Sequence, residues 1–495
     1  MLRYRVIAPE SGLHPWQAAC VRLLAESGMA KPARDDDCPD FFLLFGPRES
    51  ARDFIDRARY GTWYFMHGGF WDMFANRNVT RALLVKITGP DTGVVLKSAH
   101  LSTIRESLQK NLAQVVAAMQ DWPARVCDDI QSDVDGYFSE PPVQLPAQYD
   151  EVPDKYQLLY TRLLEIKNRC ARFFEREFFR EDWHIARMSG SLADVIGQDV
   201  RAQLADVFPH QNGVYLADPC VFAHQGRTAI LCEEFSYDSF LGRIVVFDER
   251  DCDSPAYPVI TEPYHLSYPH IFEHEGQVYC IPESSAASGV RLYRAAEFPR
   301  RWEYVRTLIE GVSMMDSTLL RFGAKWWLFC TSGDAANKTY NSHLSIWYAD
   351  DLDGPWLPHR SNPVKIDVRS ARPAGSIVAH DGALFRPAQD CSRTYGGAIA
   401  INRIDTLTPA EFKETVVGIL RPPRGRYNKG IHTIGSAGDY CVVDVKRSAF
   451  YAGGIIAVLK RTLKAAALKA GVPSSAFPGR GISSPAAPRP KAPDS

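Results

Sequence analysis

The chain has 495 residues, 45% of them apolar and 11% aromatic, enough for more than one hydrophobic core and for two or three domains. A formal net charge of −1 gives no global basic field, so no nucleic-acid partner is expected. Eleven cysteines, an odd number with no CxxC pair, argue against a disulfide framework and against a zinc site, and point to a reducing, cytoplasmic compartment.

Taken in order, the N-terminus Met1–Pro9 has arginines inside its only apolar stretch and does not read as a signal peptide. No apolar run reaches the roughly 18 residues of a spanning helix. Residues 1–130 read as an α/β domain. Tyr4–Ala8, Asp40–Phe45, Thr62–Met66 and Arg81–Lys86 are strand candidates, and Asp40–Phe45 has the continuous apolar character of a buried parallel strand. Pro15–Ser27 and Thr103–Gln120 have helical spacing.

Residues 131–182 read as a Pro-, Asp- and Gln-rich linker followed by a spacer helix over 155–180. Leu158, Leu159, Leu163, Ile166, Cys170, Phe173 and Phe174 are its expected packed face. Near the C-terminus, 447–471 forms a basic amphipathic helix candidate. It either docks on the preceding domain or, through 449–470, touches an anionic membrane surface from the cytoplasmic side. The Pro/Ala/Ser-rich tail 472–495 lacks the apolar content for a core.

Between these, residues 183–446 carry a five-fold repeat. The blocks begin near Asp218, Tyr268, Asp316, Arg372 and His432, and each places an apolar strand before a turn glycine. Those glycines (Gly226, Gly276, Gly323, Gly382, Gly438) lie 50, 47, 59 and 56 residues apart. Strand–turn–strand units at this period predict a five-bladed β-propeller of four-stranded blades. A propeller gathers one position per blade at its axis, so the five block-opening residues should meet there. Trp302, Trp326, Trp327, Trp347 and Trp356 are expected between blades, with one or two free to face a sugar.

Tyr215–Phe222, with Asp218 at its centre, resembles the first-blade motif of the five-bladed glycoside hydrolases of the arabinanase and xylosidase type. In those enzymes the matching aspartate is the general base, which implies that role for Asp218. An inverting glycosidase needs a second carboxyl group, protonated, for the leaving oxygen. By block position this is Asp316, with Glu283 and Glu234 as further carboxylates. Tyr268 stands where the second blade of such hydrolases carries an acid. Arg369 and Arg372, in Asp-Val-Arg-Ser-Ala-Arg, suit bidentate binding of phosphate or carboxylate. His432 matches the axial histidine of such propellers. Tyr268, His270 and Asp390 complete the expected substrate-binding set.

A narrower resemblance covers Asp218 to about Asp444. Ser267–Gly276, Ile281–Ser285, Asp316–Leu319, Asp367–Gly375 and Arg386–Ser392 resemble the N-terminal domain of plant glucosamine inositolphosphorylceramide transferases and its bacterial relatives. That implies a sugar, nucleotide-sugar or glycolipid ligand. The α/β domain also resembles the formyltransferase fold through Tyr60–Gly69, Val79–Leu83 and Asp91–Leu96. His67 and Asp91 match that family's catalytic histidine and aspartate, while Phe65 stands in place of its asparagine and cannot stabilise an oxyanion. The module is therefore expected to be degenerate, with no bound folate or other cofactor and no metal. The sequence predicts a carbohydrate-active protein, glycosidase-like or glycosyl-transferring, that serves polysaccharide or glycolipid synthesis and takes an anionic sugar or sugar phosphate. The alternatives are a non-catalytic glycan-binding module and a formyltransferase acting on an amino sugar.

Overall fold

The computed structural model describes residues 1–451 and 453, apart from 35, 249–254, 334–338 and 439. The helix expected over 447–471 is corrected at its start, where residues up to Phe450 continue the strand Tyr440–Phe450 paired with Phe179–Met188; the rest of that basic segment and the tail lie outside the described residues. Among the described residues, no helix is long and apolar enough to cross a membrane.

The first part of the chain folds around a mixed seven-stranded sheet. Its order is Ala30–Pro32, Leu2–Ile7, Phe41–Leu44, Thr62–His67, Val79–Ile87, Thr92–Ser102 and Val143–Gln144. The first four strands run parallel and the remainder antiparallel. The helices Pro15–Glu26, Leu108–Met119 and Trp122–Gln131 bury Leu24, Met119 and Ile130 in one core with Phe41 and Trp63. Phe41 and Trp63 stack with ring centroids 3.8 Å apart. The predicted strands are present. The strands Ala30–Pro32 and Thr92–Ser102 and the short helix Trp71–Phe74 went unpredicted, as did the helix Trp122–Gln131, whose Pro123 sits harmlessly in its first turn. The expected linker also supplies the edge strand Val143–Gln144.

The spacer helix spans Lys155–Phe178 and starts at Asp154, whose carboxylate accepts from the amides of Tyr156 and Gln157. Its predicted packed face is corrected. Leu159, Leu163, Ile166 and Phe174 are more than half exposed, while Thr161, Leu164, Glu165 and Glu177 are buried. The reason is polar anchoring: Glu165 accepts from the amide of Leu108 at 2.6 Å, and Arg169 donates to the carbonyl of Glu106 at 2.8 Å. Those bonds fix the helix by its polar side.

Five sheets then form the propeller. Blade 1 begins with Val214–His224, blade 2 with Ser267–His274, blade 3 with Met314–Phe322, blade 4 with Val378–His380 and blade 5 with Ile434–Ala437. Blades 3 and 4 each carry a fifth short strand. The five predicted turn glycines all have positive φ, from 59° to 76°. In blades 1, 2 and 4 the preceding Gln225, Glu275 and Asp381 do as well, the geometry of a tight two-residue hairpin turn.

Blade 5 closes the ring. Its strands Ile434–Ala437 and Tyr440–Phe450 come from the end of the propeller, while Phe179–Met188 and Leu204–Val207 come from the beginning. Phe179–Met188 pairs with Tyr440–Phe450 from Phe179↔Phe450 to Met188↔Cys441. Closure therefore rests on a long antiparallel ladder between residues more than 250 apart in sequence. The N-terminal sheet docks on blades 3 and 4. The amide of Val368 donates to the carbonyl of His100 at 2.8 Å, Arg125 to the carbonyl of Asn362 at 2.9 Å, and Arg360 pairs with Asp128 at 2.8 Å.

Blade 4 also buries a charged network. Arg386 (1% exposed) binds Glu414 through Nε and Nη2 at 2.8 and 2.6 Å, and Lys365 reaches the same carboxylate at 2.8 Å. Removing one partner would leave a buried guanidinium uncompensated. Glu414→Gln should destabilise the chain by about 3–5 kcal/mol, read as a fall in the thermal or denaturant midpoint. A loss below about 1 kcal/mol, the scale of an exposed pair, would show that water reaches the network.

Candidate functional site

Three side chains reach the axis by the same local device. Asp218, Tyr268 and Asp316 have φ of 54°, 43° and 53°, left-handed values that cost a non-glycine residue energy. At each, the ladder to the next strand skips, between Ala217 and Cys220, Ser267 and His270, and Met315 and Thr318. A bulge re-aims its side chain, and here each turns toward the axis. The repeat in sequence is thus a repeat of strained bulges.

The blades are bonded to one another through these groups. Asp444, fully buried on the closing strand, accepts from the amides of Asp218 (2.9 Å), His432 (2.8 Å) and Thr433 (3.0 Å). His432 lies between two carboxylates, with Nδ1 2.7 Å from Asp444 and Nε2 3.1 Å from Asp218. Asp218 Oδ1 also accepts from Thr433 Oγ1 at 2.8 Å, and its Oδ2 from the Tyr268 amide at 3.3 Å. The Tyr268 hydroxyl is 2.9 Å from Thr318 Oγ1 and accepts from the Gly375 amide at 2.7 Å. Gly375 is obligatory there: its φ is 134°, and a Cβ would stand 2.1 Å from the Ile434 carbonyl.

The electrostatics follow. Burial alone would push the His432 ring down, but Asp444 and then Asp218 raise it to about 10, so it is an imidazolium at neutral pH. Burial opposes charge on Asp218, yet His432 and then Thr433 hold it below the usual carboxylate range. Asp218 is therefore ionised. Glu233 is the opposite case. Burial and then the charge of Asp218 raise its carboxyl well above the ordinary value. Its Oε1 has no hydrogen-bond partner among the described residues; the His265 ring, which burial pushes toward the neutral form, lies 3.5 Å away. A protonated carboxyl group with an unused oxygen thus stands beside an ionised one.

Sequence reasoning named Glu234 and missed Glu233. The signal was available: Glu233 pairs with Ala217, next to Asp218, and strand neighbours point to opposite faces. Glu234 points away, where it binds Arg243 at 2.7 Å. Asp316 also changes role. It accepts from Arg372 at 2.5 and 3.0 Å and from Gln389 at 2.9 Å. Burial raises this carboxyl and Arg372 opposes that; the bidentate geometry makes the two an ion pair. Glu283 lies 3.8 Å from Arg372 and accepts from Ser285 at 2.7 Å.

The expected clamp of two arginines is corrected. Arg372 is 7% exposed and spent on Asp316, whereas Arg369 is half exposed and gripped by Asp367 at 2.9 and 2.7 Å. The two intervening residues, Ser370 and Ala371, carry them to different surroundings. His270 is a strut: burial lowers its ring to about 4, and the neutral Nε2 lies 3.1 Å from the Leu319 carbonyl of blade 3. It also borders a small axial space with Asp218, Tyr268 and Gly375, of about 10 Å³. The axis is walled by His432, Tyr395 and Trp183. The His432 ring sits 5.2 Å from that of Tyr395 and 4.1 Å from that of Trp183. Trp326 and Trp356 pack in a core shared by blades 2 and 3, and Trp327 in one shared by blades 3 and 4, the inter-blade positions expected of them.

Asp390 lies elsewhere too. It lines a cleft of about 480 Å³ with Arg201, Arg393, Arg421 and Arg424, to which Asn78 of the N-terminal sheet also contributes. Arg421 is paired with Asp199, but Arg201, Arg393 and Arg424 have no ion pair among the described residues. The loop Cys391–Gly397 joins this cleft to the axis, with Arg393 in the cleft and Tyr395 against His432.

In the N-terminal sheet the formyltransferase pair does not assemble. His67 closes the strand Thr62–His67 opposite Ala82, whereas Asp91 lies in the turn beyond Ile87, which pairs with Thr62. The two therefore sit at opposite ends of one strand, roughly 17 Å apart at about 3.3 Å per residue. Asp91 is exposed and paired with Arg48 at 3.1 Å. Burial lowers the His67 ring, and its Nδ1 accepts from the Gly69 amide.

Residues 204–436 match the family model described as glucosamine inositolphosphorylceramide transferase 1, N-terminal. Glucosamine inositolphosphorylceramide transferase 1 of Oryza sativa subsp. japonica is 34% identical over 221 residues, covering 43% of this chain and 29% of that protein. The Arabidopsis thaliana protein of the same name is 32% identical over 209 residues, covering 41% and 27%. The chain thus spans under a third of the length of these relatives. Among solved structures, a GH43 protein of Bacillus licheniformis is similar at 15% identity and a TM-score of 0.34, covering 48% of this chain and 52% of that one. An α-L-arabinanase of Cellvibrio cellulosa is similar at 15% identity and 0.34, covering 47% and 91%. The segment matched by the family model includes Asp218, Glu233, Asp316 and His432 and stops short of Asp444.

The axial histidine makes stability pH-dependent. Its folded-state value is raised from 6.5 to about 10, so its contribution is full below pH 6.5 and is lost as pH rises through 10. The unfolding free energy should fall across that interval. In His432→Gln the fall should be flattened, as measured by denaturant midpoints from pH 6 to 10. An unchanged slope in the variant would assign the dependence to another group.

Proposed function

We propose that the propeller is the working domain of a carbohydrate-active enzyme that acts on a glycosyl donor or glycoconjugate, by hydrolysis or by transfer to an acceptor hydroxyl. The observation that carries this reading is the pairing, beside one axis, of Asp218, held ionised, with Glu233, whose carboxyl is raised and whose Oε1 has no hydrogen-bond partner among the described residues. Cleaving a glycosidic bond needs these two groups in opposite protonation states. Asp218 Oδ2, which accepts only the longer bond from Tyr268, takes the proton of the attacking water or hydroxyl. Glu233 gives its proton to the departing oxygen as the sugar carbon leaves it for the nucleophile. His432, cationic between Asp218 and Asp444, keeps the base ionised and fixed.

An anionic sugar or sugar phosphate is part of the same proposal. Its support is the arginine cleft rather than Arg369 and Arg372. The relatives' name, glucosamine inositolphosphorylceramide transferase 1, is consistent with a sugar or glycolipid ligand. We further propose that the protein works in the cytoplasm, supported by the buried free thiols of Cys20, Cys127, Cys220, Cys232, Cys280, Cys330, Cys391 and Cys441.

A second reading, a non-catalytic glycan-binding module, is favoured by the near-complete burial of Asp316, His432 and Asp444. Mass spectrometry of the chain incubated with nucleotide sugars and glycans decides between them. Hydrolysis or transfer is expected, with Asp218→Asn and Glu233→Gln each about 10²–10⁴-fold slower at an unchanged fold. Saturable binding without turnover would favour the module.

A further inference from the structure

A second cluster of chemistry-bearing side chains stands outside the axis, on the strand that closes the ring. Asp182 and His184 are two apart on Phe179–Met188 and so share a face of the sheet. His210 comes from the loop between Leu204–Val207 and the first strand of blade 1. Three side chains converge: Asp182 Oδ2 is 3.3 Å from His184 Nε2, Asp182 Oδ1 is 3.5 Å from His210 Nε2, and the two Nε2 atoms are 3.4 Å apart. Asp182 and His184 are 8% and 6% exposed, and the His210 side chain, at 13%, reaches the surface.

We propose that Asp182, His184 and His210 bind a divalent transition ion, with zinc the best fit to this donor set. Ligand atoms around a tetrahedral ion with bonds of about 2.0–2.1 Å stand about 3.3–3.4 Å apart, close to the 3.4 Å between the two Nε2 atoms and the 3.5 Å from His210 Nε2 to Asp182 Oδ1. The ring orientation agrees. His210 Nδ1 lies 3.0 Å from the carbonyl of Gln211, so the proton belongs on Nδ1 and the Nε2 lone pair faces the cluster. Two imidazole nitrogens directed at each other can share only one proton, whereas an ion satisfies both and the carboxylate. Arg447 donates to Asp182 Oδ2 at 2.6 Å and orients that carboxylate, leaving Oδ1 for the ion. Two histidines and one carboxylate are a common set for zinc and related ions, and three protein ligands leave a fourth position for water. A search for CxxC pairs misses this set because it uses no cysteine.

The ligands join the strand that closes blade 5 to the loop that enters blade 1. An ion there binds the closed ring and not the open chain, so it stabilises closure. The test uses the full chain, stripped by chelator and titrated with Co²⁺ as an optical probe and with Zn²⁺ followed by elemental analysis. About one ion per chain is expected, with Co²⁺ bands of low-coordinate type and a rise in melting temperature on adding Zn²⁺. His210→Ala, in a loop, should keep the fold and lose binding by about 100-fold or more. His184→Ala should do the same, and if it does not fold, His210→Ala decides. Wild type that takes up no ion, or a His210→Ala variant that binds as tightly as wild type, overturns the proposal.

Discussion

The carboxylate of Asp444 holds the propeller's centre together. It is fully buried and accepts three amides, those of Asp218, His432 and Thr433, while pairing with the His432 ring. A buried charge is tolerated only when paired and hydrogen-bonded, and these partners come from blade 1 and from the segment entering blade 5. Because Asp444 lies on the closing strand, the ladder that zips the chain's two ends also sets the charge at the axis. From Asp444 the bonding passes to Asp218, then to the amide of Tyr268, then through the Tyr268 hydroxyl to Thr318 and Gly375.

That arrangement explains how the axis holds several acids without repulsion dominating. Two cations are interleaved with them: His432 between Asp218 and Asp444, and Arg372 against Asp316. Glu233 is left without a cation and stays protonated beside an ionised neighbour. The division of labour among carboxyl groups is thus decided by which of them found a partner. The strained φ values at Asp218, Tyr268 and Asp316 belong to the same economy, since a bulge is what brings a strand residue to the axis.

Much of the fold was legible in the sequence, because its cause is periodic. Turn glycines recur where a hairpin demands positive φ, and strands between them alternate with the pleat. The pairing partner of the closing strand was not legible. No local pattern says that Phe179–Met188 must join Tyr440–Phe450, since that choice depends on how five blades fill a circle. The spacer helix misled for a related reason: its apolar spacing is real, but the polar anchors at Glu165 and Arg169 decide which side faces inward.

By itself the sequence determined the repeat, the turns and the identity of the residues that open each block, because those depend on local backbone geometry. It brought Asp218, Tyr268, Asp316, Arg372 and His432 to one axis in outline. Only the tertiary structure decided what each is for. Whether an arginine is free or spent, as Arg372 is on Asp316, depends on a neighbour 56 residues away. Whether a glutamate is an acid depends on the charge beside it, which singles out Glu233 over Glu234. Protonation state is a property of surroundings, and surroundings exist only once the ring has closed.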